Sequence, residues 1–156
     1  MNAALRLYQL TTRYDTLLTE WGGSLMSLFL RLYIGWQFFN SGLVKISDWD
    51  ATLALFREEY MTPVLPPALA AYLGAAGELT LPVLLFVGLL SRPAALGLFF
   101  VNVMAVISYQ QIFKVECPAG LNDHIFWGVG LLALVAFGPG RFSLDSLLGK
   151  LSKQAR

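Results

Sequence analysis

The chain has 156 residues, 56% of them hydrophobic and only 13% charged, with a formal net charge of +1. An average soluble protein carries roughly 25% charged residues, and so few polar groups cannot cover a water-exposed surface without large apolar patches. No basic stripe or basic–aromatic alternation stands out, which sets nucleic acid aside, and the single cysteine, Cys117, excludes an intrachain disulfide, a CxxC redox pair and a cysteine-based zinc site.

Taken in chain order, residues 1–23 read as a cytoplasmic tail. Arg13, Asp15 and Glu20 interrupt any apolar core there, and no small-residue cleavage site follows a hydrophobic run. Spanning the hydrocarbon takes about 20 mostly apolar residues, and four segments meet or approach that, at about 24–45, 68–90, 93–113 and 123–138. In the first, Arg31, Gly35, Phe38, Gly42 and Lys45 repeat at alternating spacings of four and three, which stacks them on one helix face where the glycines permit close approach. The loop that follows carries DATLALFREEY, with Leu53, Phe56 and Tyr60 opposite Arg57 and Glu58, a pattern expected of a short amphipathic helix lying on the membrane surface.

Pro66-Pro67 precedes the second span, which holds Gly77, Glu78 and an internal Pro82; Pro93 sits at the first turn of the third, which holds Asn102. Asn122 and Asp123 are expected to cap the fourth span, and Gly138-Pro139-Gly140 to stop it. Its apolar stretch, residues 125–137, would cross only about 20 Å, so a thinned bilayer or an extended span is expected. The expected fold is therefore an all-α integral membrane protein: a single membrane domain over residues 1–156, built as a four-transmembrane-helix bundle with cytoplasmic tails at 1–23 and 141–156. Orientation follows from charge: Arg6, Arg13, Arg92, Arg141, Lys150, Lys153 and Arg156 fall on the side of the termini, against Lys45, Arg57 and Lys114 on the other, which places both ends inside. Tyr14 and Trp21 near one boundary, with Trp49, Tyr60, Tyr72, Tyr109 and Trp127 toward the other, fit two aromatic belts.

Polar side chains within these spans need a reason, since a charge at mid-bilayer costs roughly 2.5–3.5 kcal/mol on insertion scales. Counted from the cytoplasmic ends, Arg31 lies roughly 10 Å deep, Asn102 roughly 14 Å and Glu78 roughly 18 Å, so an extended Arg31 would reach most of the way to Glu78. Pro82 also leaves the Glu78 carbonyl without its helical donor. A small polar pocket of Arg31, Gln37, Glu78 and Asn102 is expected near the middle of the bundle. The alternative is that Arg31 snorkels to the headgroups and Glu78 only locks helices together. A second polar group, Lys45, Asp48, Trp49, Asp50, Tyr109, Gln110, Cys117, Asp123 and His124, is expected at the outer mouth. There His124 is either a proton-transfer, metal or quinone-ring partner or part of an interfacial cap. No metal motif, P-loop, G-x-S-x-G or dinucleotide fingerprint is present.

The stretches FLRLYIGWQFFNSGLVKI, GAAGELTLPVLLFVGLLSRPAAL and LLALVAFGPGRFSLDSLLG resemble the DoxX family of small bacterial membrane proteins. The resemblance covers about Leu28 to Leu148. It rests on the order of Arg31, Gly35, Gly42 and Lys45, then Gly77-Glu78, then Gly88 followed by Arg92, then the terminal GPGRFSLD. It implies a four-helix membrane bundle of the bacterial inner membrane and, across the family, links to thiosulfate oxidation with a quinone acceptor, to oxidative-stress complexes, or to metal-stress gene clusters; related eukaryotic proteins serve as cargo receptors or assembly chaperones. Fold is thus better constrained than activity.

Three functional readings follow. In the first, the bundle is the membrane component of a redox or stress-response system, with a quinone-like cofactor hydrogen-bonded by Glu78, Arg31 or His124 and electrons supplied by a partner, so the chain is not a self-contained enzyme. In the second it is a non-enzymatic scaffold, carrier or assembly factor that recruits or exports a partner through the 46–67 loop and the amphipathic helix around Leu53 to Tyr60; a protein partner or a homo-oligomer is expected in either case. A small-molecule transporter comes third, because the inner halves of the second and third spans are almost wholly apolar.

Overall fold

Each long apolar run ends at residues that cannot continue a helix, and the computed structural model, which describes residues 8, 11–12, 14–113 and 119–155, is accordingly helical throughout, with no strand among them. A π-helical turn, Leu18–Gly22, leads into α1, Gly23–Ser47. There follow α2, Trp49–Glu58; α3, Pro67–Val87; α4, Ser91–Ser108; a 3-10 turn, Gln110–Phe113; α5, Ala119–Phe137; and α6, Leu144–Gln154. Residues Arg6, Arg13, Lys114, Cys117 and Arg156 lie outside the described residues.

Among the described residues three helices are long and apolar enough to cross a membrane: α3, α4 and the Gly120–Phe137 stretch of α5. At 25 residues α1 is longer than any of them but carries Arg31, Gln37, Asn40 and Lys45 among its apolar side chains. Alternate helices run up and down, α1 packing chiefly on α3 and α4 on α5. The core between them is Ile34, Phe38, Leu85, Ala94, Ala95, Leu98, Leu131 and Leu134. Large apolar side chains also cover the outside, among them Phe29, Trp36, Val83, Leu96, Phe126 and Val129. That arrangement suits lipid as the surrounding solvent and not water.

Several boundaries differ from the sequence expectation. The second helix stops at Val87 and not at residue 90, because Gly88 turns left-handed at φ 70° and closes the helix C-terminus. The third ends at Ser108, five residues earlier than expected. The fourth begins at Ala119, so Asn122 and Asp123 lie inside it and do not cap it. Its 19 residues rise roughly 28 Å, so flanking residues extend the short apolar stretch, one of the two outcomes expected for it.

A further departure concerns α2. Its start is capped by Asp48, whose side chain accepts from the Ala51 amide at 2.9 Å, and the Thr52 hydroxyl donates to the Lys45 carbonyl at 2.9 Å, folding α2 back on the end of α1. Phe56 is buried against Ala70 and Ala71, with Trp49, Leu53, Tyr60 and Leu65 around them. The apolar face expected to rest on the membrane surface is therefore spent on the first turns of α3. After α2 the chain crosses to α4, where the Met61 amide donates to the Ser108 carbonyl at 2.9 Å.

At the opposite end of the bundle, where α1 begins and α5 ends, the chain after α5 wraps over α1. Ser27 Oγ donates to the Gly138 carbonyl at 2.9 Å and the Arg141 amide to Ser24 Oγ at 3.1 Å. Asp145, at the start of α6, accepts from the Leu90 and Ser91 amides, both at 2.9 Å, so its carboxylate caps α4. We call this the terminal end and the α2 side the loop end.

Candidate functional site

Glu78 lies eleven residues into α3, and the level at which it meets α1 is set by Gly42. A Cβ on Gly42 would stand 2.9 Å from the Leu79 side chain and 3.1 Å from Glu78 Cβ, so only glycine admits this approach. One turn further along α1, Lys45 Nζ donates to Glu78 Oε2 at 2.7 Å, to Glu78 Oε1 at 2.9 Å and to Ser41 Oγ at 2.9 Å. The pair is largely removed from solvent, with side-chain exposures of 16% and 8%. A buried charge is tolerated only when paired and hydrogen-bonded, and here each charge supplies the other's compensation.

The stagger that follows from this level creates space. From Pro67 to Glu78, α3 rises roughly 16 Å, whereas from Gly42 to Ser47, α1 rises only about 8 Å. The overhang of α3 is covered by α2, which does not fill it completely. A partly enclosed cavity of about 220 Å³ remains between α1, α2, α3 and α4, with Lys45 and Glu78 on its wall. The remaining lining is mostly apolar, including Phe56, Leu65, Val101 and Met104, interrupted by Tyr60, Thr62 and Ser108. Burial, then the Glu78 carboxylate, pushes the Tyr60 phenol up from its ordinary value, so it enters the cavity as a neutral hydroxyl.

The expected mid-bundle pocket of Arg31, Gln37, Glu78 and Asn102 does not form. Arg31 is fully buried but turns to the terminal end, where Nη1 donates to the Leu85 carbonyl at 3.2 Å and Nη2 to the Phe142 carbonyl. It ties the chain after α5 to the α1–α3 pair and attracts Asp145 electrostatically; its Nε has no partner among the described residues. The expected Arg31–Glu78 bridge is replaced by Lys45–Glu78. Depth counting misplaced it because side-chain direction and helix stagger, and not rise alone, decide which groups meet.

Asn102 makes a third, separate device. Its Nδ2 donates to the His124 carbonyl at 2.8 Å while its Oδ1 lies 2.7 Å from His124 Nδ1. Since a carbonyl only accepts, the amide orientation is fixed, and Oδ1 must take a proton from Nδ1. The ring stands edge-on to Trp127 at 5.0 Å, so α4 and α5 are locked at this level. Gln37 is half-buried and joins none of these groups. Gly35 faces Phe86, Gly77 lies against Val101, and Pro82 is buried within α3.

The expected outer-mouth group is likewise divided. Lys45 belongs to the ion pair, Asp48 caps α2 and His124 is bound to Asn102. Asp50 and Asp123 are exposed, and Trp49 lies against Tyr72 in a tilted contact, ring centroids 4.6 Å apart. Sequence reasoning gave no part in a site to Ser108, Met104 or Asp145. The signal for Asp145 was its place after the glycine-proline stop, with Ser143 capping α6 through the Ser146 amide at 3.1 Å. Ser108 carried no signal of its own.

The DoxX family model matches residues 26–111. A Haemophilus influenzae protein described only as uncharacterized is 30% identical over 138 residues, covering 83% of this chain and 87% of that one. No solved structure matches the chain.

Proposed function

Because the chain belongs to the DoxX family of membrane proteins, we propose that it is the membrane component of a redox or stress-response system and holds a small, quinone-like ring molecule in the cavity beside Lys45 and Glu78. The observation that carries this reading is a buried ion pair opening onto an apolar cavity. Apolar walls with a few placed polar groups are the usual make-up of a small-molecule site, and an ionisable pair inside a membrane bundle is a functional candidate.

In this reading α1 is a fourth span, and the protein sits in the bacterial inner membrane with both ends cytoplasmic. Cation placement supports that orientation: Arg92, Arg141, Lys150 and Lys153 lie at the terminal end, against Lys45 and Arg57 at the loop end among the described residues. Electrons would come from a partner protein, and the chain's own role is to bind and orient. Glu78, held in place by Lys45, fixes the polar edge of the guest, and α2 with Phe56 and Tyr60 shields it from water. Arg31, Asn102 and His124 serve to hold helices together.

The test is extraction of the protein purified in mild detergent. A ring molecule recovered in stoichiometric amount from the wild type and lost from Glu78→Ala supports the reading. An empty wild-type protein whose Glu78→Ala form keeps its cellular redox phenotype contradicts it.

A further inference from the structure

The hydrogen-bond inventory of the cavity specifies which kind of polar head it accepts. An ammonium has three N–H donors and no acceptor. All three donors of Lys45 are used, on Ser41 Oγ, Glu78 Oε1 and Glu78 Oε2. A guest therefore finds no free proton on Lys45 and would have to pull the ammonium off its carboxylate to obtain one.

Glu78 is different. A carboxylate offers about four lone-pair positions, and Lys45 takes two of them. Acceptor capacity is left on the wall of the cavity. A hydrogen bond to that charged oxygen is roughly twice as strong as a neutral one. The Tyr60 and Ser108 hydroxyls also line the cavity and make no hydrogen bond to any described residue. A hydroxyl on a guest donates once and accepts twice, so one such group satisfies Glu78 and one of these hydroxyls together. A carbonyl or ether satisfies only the neutral hydroxyls and leaves the carboxylate short of a donor.

The rim of the cavity indicates where the guest comes from. Leu73 and Phe100, on its border, are 54% and 60% exposed on the apolar outer face of α3 and α4, the face that lipid covers. We infer that the cavity admits a membrane-soluble ring molecule from the lipid side and holds it by a ring hydroxyl donating to Glu78, so that a phenol or quinol is preferred to the matching ether or quinone. This rests on the cavity being a ligand site, as proposed above.

The full chain in lipid nanodiscs, titrated with 4-propylphenol and with its methyl ether 4-propylanisole and corrected with empty nanodiscs, separates the two claims. The expected result is phenol binding at least about tenfold tighter than the ether, a ratio that falls toward one in Glu78→Gln. Ala105→Phe, which fills the cavity, abolishes binding of both, while Tyr60→Phe, which leaves the ion pair in place, weakens the phenol without reversing the preference. Equal binding, or tighter binding of the ether, overturns the hydroxyl inference and leaves the cavity as a site. Binding of neither probe, or binding that survives Ala105→Phe, removes the cavity itself and the inference with it. The wild-type comparison decides even where Glu78→Gln does not fold.

Discussion

The Nζ of Lys45 lies 2.7 Å from Oε2 of Glu78 and 2.9 Å from Oε1, joining the last turns of α1 to the middle of α3. Breaking a buried pair by removing one partner leaves the other charge uncompensated, at a cost of about 3–5 kcal/mol. Lys45→Ala and Glu78→Ala are each expected to destabilise the protein on that scale. Lys45→Met combined with Glu78→Leu should recover most of the loss, because an apolar pair needs no compensation. Unfolding in detergent micelles, run as a double-mutant cycle, checks this.

Close contact of α1 with α3 depends on Gly42. A methyl group there meets Leu79 at 2.9 Å, and overpacking of this kind costs about 1–3 kcal/mol. Gly42→Ala is expected to lower the thermal midpoint and, by shifting the stagger, to weaken the Lys45–Glu78 coupling. The midpoint and a repeat of the cycle in the Gly42→Ala background measure both.

Asp145 makes the docking of α6 depend on pH. Burial pushes its carboxyl up, but the Ser91 and Leu90 hydrogen bonds and the Arg31 guanidinium together hold it below the ordinary carboxylate value. A group depressed in the folded state contributes stability that is fully present above its unfolded pKa and is lost as pH falls through its folded pKa. Protection factors of the α6 amides, corrected for the intrinsic pH dependence of exchange, should therefore be steady near neutrality and fall only below the usual carboxylate range. Asp145→Asn should give faster exchange at neutral pH, at a cost of about 1 kcal/mol as for a lost helix cap, with the acid step reduced.

The Asn102–His124 contact fixes a tautomer. With Oδ1 accepting from Nδ1, neutral His124 carries its proton on Nδ1 and leaves Nε2 as the basic nitrogen. Nitrogen-15 chemical shifts of selectively labelled protein should show that form. Asn102→Ala is expected to remove the preference and, by leaving the His124 Nδ1–H without its acceptor, to destabilise by about 1–3 kcal/mol.

Much of the fold could be read from apolar run lengths and from their proline and glycine boundaries. The face bearing Arg31, Gly35, Phe38, Gly42 and Lys45 was also visible in the spacing alone, and in the structure its first four members are buried. Pairing was harder to read. Whether Glu78 meets Arg31 or Lys45 depends on how far α3 slides past α1, and that is decided by Gly42 against Leu79, a contact between residues far apart in sequence. The start of α5 also differs: Asn122 and Asp123 favour caps, but the helix runs through them as exposed residues. The cavity arises from the same stagger and from α2 folding back, so no local pattern announced it.

An experimental structure of the protein purified with its native lipids tests the central claim most directly. The account predicts extra density, distinct from acyl chain, between α2, α3 and α4, with a polar atom within hydrogen-bond distance of the Glu78 carboxylate. A cavity closed by Phe100 and Met104, or filled by a lipid tail that leaves the Lys45–Glu78 pair untouched, would contradict it.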